Sequence, residues 1–121
     1  MDNNANFSRF GVKPSQISLV YATWCPHCDP LSVEQSTKMS KDLGVPLRLL
    51  DIDGPDAVKI ADALVKKYGD DSEDYLIPQV FLEFPNGKVQ HVFTGFSENT
   101  ELTKKHWSDF FSSNYYKSLK S

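Results

Sequence analysis

Apolar residues fall along this chain in two rhythms, short continuous runs and runs repeating every three to four positions, and their alternation lays out the elements. Ile17 to Tyr21 is a compact, mostly apolar run of the kind that a strand buried on both faces shows. Leu31, Gln35, Met39 and Leu43 then mark a helical spacing, with Gly44 as its stop before Val45-Pro46. Leu47 to Ile52 reads as a second buried strand, broken by Asp53-Gly54-Pro55 ahead of a helix from about Asp56 to Tyr68. The apolar face of that helix is Val58, Ala61, Leu64 and Val65. Strand, helix, strand, helix at this spacing implies a right-handed parallel crossover. Gln79 to Phe84 and Lys88 to Phe93 flank Pro85-Asn86-Gly87, a strong local signal for an antiparallel hairpin. A final helix over about Glu98 to Ser112, or as far as Tyr116, offers Leu102, Trp107, Phe110 and Phe111 to cover a sheet face. The predicted architecture is α/β, a central mixed β-sheet flanked by α-helices.

One junction is locally ambiguous. Asp29-Pro30 is a good N-cap and first-turn pair, which would start the first helix after Cys28. A helix started earlier, near Cys25, would carry Pro30 without an N–H in its second turn, so an irregular first turn is expected.

At 121 residues the chain is long enough for one domain with a real core and too short for two ordinary ones. We therefore expect a single domain over 1–121, with 1–15, anchored only by Phe7 and Phe10, as an arm or a short leading helix. Hydrophobic residues at 40%, charged residues at 24% and a formal net charge of −3 give no reason to expect nucleic acid or an anionic membrane as partner. The opening Met1-Asp2-Asn3-Asn4-Ala5-Asn6 lacks the basic flank and apolar run of a secretory leader, and no stretch is long enough to span a bilayer. A cytoplasmic monomer is the simplest expectation, with a periplasmic or secreted location as the alternative for a chain from which a leader has been removed.

Chemistry concentrates in Tyr21-Ala22-Thr23-Trp24-Cys25-Pro26-His27-Cys28. Both cysteines of the chain lie in this one motif, so a working dithiol fits better than a structural staple between distant segments. The pair follows a strand and precedes a helix, the context that makes Cys-X-X-Cys a redox motif. A helix N-terminus would favour the Cys25 thiolate, and His27, with Pro26, would tune thiol pKa and potential. Zinc is the competing use, with His27, His91 and His106 as further ligand types, but no His-X-X-X-His follows the cysteines. Asp51, Asp53 and Asp56 resemble a calcium loop only superficially, since the later ligand positions are missing. No metal is expected.

Trp24, Cys25 and Cys28, then Ile77-Pro78, then Gly95 after the last strand together resemble the thioredoxin-like thiol-disulfide oxidoreductases. The resemblance runs from about Ile17 to the final helix and implies a thioredoxin fold. It also implies that Cys25 is the exposed nucleophile, that Cys28 resolves the mixed disulfide, and that Pro78 is cis and faces the pair. Trp24, Ile77, Pro78 and Gly95 would border the substrate groove, Gly95 by letting substrate approach. Partners would be protein disulfides or dithiols, with a separate reductase or small thiol as electron donor and no cofactor. The sequence departs from that family where Leu19 replaces a buried acid and Leu49 a nearby lysine, so Asp29, Asp51 or water must help deprotonate Cys28. Asp70 to Asp74 is an acidic run that reads as a solvated loop or as a rim beside the groove favouring basic partners. A peptide-binding module of the same fold without redox turnover is the alternative function.

Overall fold

The structure, a computed structural model, describes residues 13–72, 75–95 and 100–120. The expected arm or helix within 1–15 therefore lies outside the described residues except at its end, as do Glu73, Asp74 and the start of the final helix. Four strands, β1 (Gln16–Tyr21), β2 (Leu47–Asp51), β3 (Gln79–Glu83) and β4 (Val89–Thr94), form one sheet in the order β2-β1-β3-β4. β1 pairs parallel with β2, with Leu19 beside Leu49, and antiparallel with β3, with Val20 beside Gln79. β3 and β4 pair antiparallel around the Asn86-Gly87 turn, where Gly87 takes φ +87°. The expected α/β architecture, a mixed sheet flanked by helices, is the one the chain adopts.

The alternation of a pleated strand sorts the core into two layers. Ile17 and Leu19 of β1 and Val80 and Leu82 of β3 pack with Met39, Leu43, Trp107, Tyr116 and Leu119. Val20, Ala22 and Phe81 instead pack with Ala61, Leu64 and Val65, and this second layer also contains Cys25, Cys28 and Ile77. β1 is buried along Ile17 to Val20 on both faces, as an inner strand must be.

Among the described residues, four regular helices supply these layers. α1 (Val33–Leu43) stops where expected, at Gly44 with φ +68°, whose N–H reaches the Ser40 carbonyl. α2 (Ala57–Tyr68) presents the apolar face read from the sequence, with Ala61, Leu64 and Val65 buried and Val58 half-buried. α3 (Thr100–Ser112) buries Trp107, which sits edge-on to Phe93 and donates to Ser32 Oγ at 2.9 Å. The expected helix end at Ser112 is met, whereas the extension of the same helix to Tyr116 is corrected. α4 (Asn114–Lys120) is a separate helix, because the Ser113 hydroxyl accepts from the Tyr116 N–H and so caps a new start. Redirected there, α4 buries Tyr116 and Leu119, and the Tyr116 hydroxyl reaches Asp42 Oδ2 at 3.0 Å. Among the described residues no helix is long and apolar enough to cross a membrane.

Gln79 is a polar residue with no exposed surface, and its amide explains how the connection after α2 is held. Its Oε1 accepts from the Asp70 N–H at 3.1 Å, while its Nε2 donates to the Asp70 and Leu76 carbonyls at 3.2 and 3.0 Å. Gly69 makes this possible: a Cβ there would lie 2.4 Å from Gln79 Oε1 and 2.8 Å from Phe81. Replacing Gln79 with Leu leaves those backbone groups without their buried partner. We expect Gln79→Leu to lower unfolding free energy by at least about 2 kcal/mol in urea titration, with hydrogen exchange accelerated selectively over 69–72 and 75–76.

Candidate functional site

The ends of β1, β2 and β4 and the start of β3 meet at one end of the sheet, because β1 and β2 run parallel while Val20 faces Gln79 and Gln79 faces Thr94. Trp24, Cys25 and Cys28 leave β1 there, Ile77 and Pro78 enter β3, and Gly95 leaves β4. Topology therefore brings together all the backbone positions singled out in the sequence. The His27 side chain lies outside the described residues, while Pro26 beside it is exposed.

The turn carrying the cysteines is built from local constraints. The Cys25 N–H reaches the Ala22 carbonyl, and the Cys25 carbonyl accepts from the N–H groups of Cys28 at 3.0 Å and Asp29 at 2.9 Å. Helical geometry then fails. Asp29 is extended at φ −132° and ψ 113°, as a residue before proline tends to be, and Pro30 has no N–H to continue the ladder. The irregular first turn expected from Asp29-Pro30 is thus present, and both Asp29-Pro30 and Ile77-Pro78 are cis. The regular helix begins only at Val33, so its dipole is interrupted before it reaches Cys25.

Both cysteines are free thiols, and they approach within 2.6 Å of each other. Cys28 has no exposed surface and Cys25 retains only 2%. The expected exposed nucleophile is therefore enclosed. Cys25 packs into the α2-side layer with Ala22 and Ile77, while Thr23, Trp24 and Pro26 around it face solvent. Burial, then the hydrogen bond with Cys25 and the charge of Asp29, push the Cys28 thiol well up. Burial also raises Tyr21, helped by Asp51, Asp29 and Cys28 in that order. The two carboxylates considered as proton acceptors thus share one electrostatic neighbourhood with Cys28 and Tyr21.

Trp24 is 66% exposed and is held by one bond, from its indole N–H to Asp53 Oδ2 at 2.8 Å. Asp53 is itself fixed by its N–H on Asp51 Oδ1, which gives the Asp53-Gly54-Pro55 turn a second purpose. Gly95 is buried, donates its N–H to the Pro78 carbonyl at 2.8 Å, and has no room for a side chain. A Cβ there would lie 2.6 Å from Pro78 Cδ and 3.2 Å from Thr103 Oγ1. The space left by the missing side chain is thus filled by the Pro78 ring. Leu19 is buried on the opposite face among aliphatic and aromatic residues, and Leu49 is exposed on the edge strand.

Sequence reading missed a polar chain beside Pro78. The Thr94 hydroxyl donates to Asp70 Oδ2 at 2.6 Å and accepts from His91 Nε2 at 2.9 Å. His91 and Thr94 share a face because β4 carries an extra residue at Val92, a bulge that sequence periodicity does not announce. Burial lowers the His91 pKa, opposed by Asp70. Tyr21 and Asp53 were visible only as a strand end and a turn. Gln79, a lone polar residue heading the run Gln-Val-Phe-Leu, carried the one signal that could have been read. Among the described residues no group of three or more His, Cys, Asp or Glu side chains is arranged to hold a metal.

No protein-family model, no curated protein and no solved structure matches this chain.

Two outcomes follow from the geometry. Gly95→Ala should cost about 1–3 kcal/mol in denaturant titration, because overpacking displaces either Pro78 or the start of the chain after β4. The raised Cys28 pKa means that the folded protein keeps a proton the unfolded chain releases near pH 8.5. Under reducing conditions its contribution is fully present below about pH 8.5 and is lost as pH rises further, at up to about 1.4 kcal/mol per pH unit. Cys28→Ala should flatten that segment of the unfolding free energy measured against pH.

Proposed function

We propose that this chain is a thioredoxin-fold thiol-disulfide oxidoreductase that exchanges disulfides with protein substrates through Cys25 and Cys28. The observation that carries the reading is the convergence of the two free thiols at the end of β1, in one layer with Ile77 at the start of β3. In the reductive direction, Cys25 as thiolate attacks one sulfur of a substrate disulfide. The substrate bond breaks and its other sulfur leaves as a thiolate that takes up a proton. Cys28 then gives its proton to Asp29, Asp51 or water and attacks Cys25, releasing the second substrate thiol. Two electrons pass to the substrate and the protein is left with a Cys25–Cys28 disulfide, which a separate reductase or small thiol must reduce. The oxidative direction reverses these steps.

Trp24 forms one wall of the groove in this reading, with Ile77 and Pro78 as the other, and Pro26 and His27 set the potential. The near-complete burial of Cys25 favours a second reading, a peptide-binding module in which the thiols do not turn over.

Equilibration with defined glutathione ratios separates the two. An intramolecular disulfide detected by mass spectrometry, with a potential between about −270 and −120 mV, is the expected result. Its position in that range reports whether reduction or oxidation is favoured. Cys28→Ser should trap a mixed disulfide and Cys25→Ser should abolish turnover. Failure to form the intramolecular bond, with peptide binding retained in the double serine variant, would establish the binding module instead.

A further inference from the structure

α1 and α3 both pack into the core layer of Ile17 and Leu19, and between them they leave a cleft of about 410 Å³. Leu31, Gln35 and Lys38 line it from the α1 side, and Lys104, Ser108 and Ser112 from α3, each series spaced as one face of a helix. Trp107 and Phe111 complete its apolar surface. These two rings stack with centroids 5.7 Å apart, and the Trp107 indole is fixed by its bond to Ser32 Oγ. The apolar wall is therefore in place before anything binds.

The charge in this cleft is one-sided. Among the described residues no carboxylate lines it, whereas α1 and α3 each contribute one lysine. Lys38 makes no ion pair among the described residues, not even with Glu34 one turn earlier. Its ammonium instead lies 4.8 Å from the centre of the Phe111 ring, having reached across to α3. A cation is thus held against the apolar wall with its charge uncompensated by the protein. Because Trp107 meets Ser32 and Phe111 meets Lys38, Lys104 stands toward the other end of the cleft, where Glu101 pairs with it at 3.0 Å. Asp109, beside the lining residue Ser108, is taken up by Lys105 at 2.8 Å.

We propose that this cleft binds a small amphipathic carboxylate, with its carboxylate on Lys38 and its apolar chain or ring along Phe111, Trp107 and Leu31. Ser112, next to Phe111 in α3, adds a hydroxyl donor at the carboxylate end. The lining of α3 runs from Lys104 to Ser112, about 12 Å of helix, and a docked helix would itself be about 10–12 Å across. The volume falls within the range of about 300–1,000 Å³ typical of small-molecule sites. A small ligand therefore fits where a polypeptide does not. The cleft uses neither cysteine, and its occupancy is independent of the redox reading.

The test follows amide resonances of the full chain during titration with octanoate, kept below its micelle concentration, and with octanol as the uncharged control. Octanoate should give saturable shifts at Gln35, Lys38, Ser108 and Ser112, with a dissociation constant at least about tenfold below that of octanol. Lys38→Gln, at an exposed position, should weaken octanoate about tenfold and leave octanol unchanged. Lys104→Gln should change either ligand by less than about threefold, since that charge is already paired at the surface. Ser108→Trp should fill the cleft and weaken both, and the same spectra report that each variant is folded. Equal constants for the two ligands, an effect of Lys104→Gln as large as that of Lys38→Gln, or no saturable shift at these residues overturns the inference. So does a cleft already covered in the ligand-free chain. Nuclear Overhauser contacts from residues 1–12 would mark the chain's own leading segment as the occupant, and shifts that depend on protein concentration would mark a second copy.

Discussion

Strand β1 has no polar face to give to water. Ile17 and Leu19 point into one apolar layer and Val20 into the other, so the strand is stable only with helices above and below and with a partner strand at each edge. The parallel pairing with β2 requires a crossover, which α1 supplies. The antiparallel pairing with β3 sets Val20 against Gln79 and thereby places the residues after Tyr21 beside Pro78. Everything at the candidate site descends from this register, because a slip of one residue would exchange the two layers.

Around that register, contacts of quite different kinds tighten the same end of the sheet. Gly95 closes against Pro78 by shape, Gln79 grips the backbone at Asp70 and Leu76 by hydrogen bonds, and Trp24 leans on Asp53 by one charge-assisted bond. Gln79 lies between two of these, next to Pro78 in sequence and bonded to Asp70 in space. The loop bearing Asp70 and Asp71 is therefore coupled to the position of Pro78. Away from the site, Arg48, Glu83 and the buried Ser18 tie three adjacent strands together by hydrogen bonds.

The break at Asp29-Pro30 is the second organising feature. A continuous helix from Cys25 would direct its whole dipole at that thiol and present it at the surface. Here the proline interrupts the ladder, α1 starts at Val33, and Cys25 sits in the α2-side layer at 2% exposure. In the proposed function the thiol chemistry would depend less on the helix dipole and more on burial, on the neighbouring thiol and on the carboxylates of Asp29 and Asp51.

Short-range periodicity determined much of this protein. The strands, the helix over 57–68, the stop at Gly44, the turn at Asn86-Gly87 and the disturbance at Pro30 are each specified within a few residues, by apolar spacing, positive φ or a missing N–H. The cysteine pair and the Ile77-Pro78 dipeptide could likewise be singled out from the chain alone. What remained depends on residues far apart in sequence that only packing brings into contact. The filling of the Gly95 space by Pro78, the grip of Gln79, the bond from Trp24 to Asp53, and the His91-Thr94-Asp70 chain enabled by a bulge have no local signature. The burial of Cys25 was likewise decided in three dimensions, since exposure is a property of the layer that surrounds a residue.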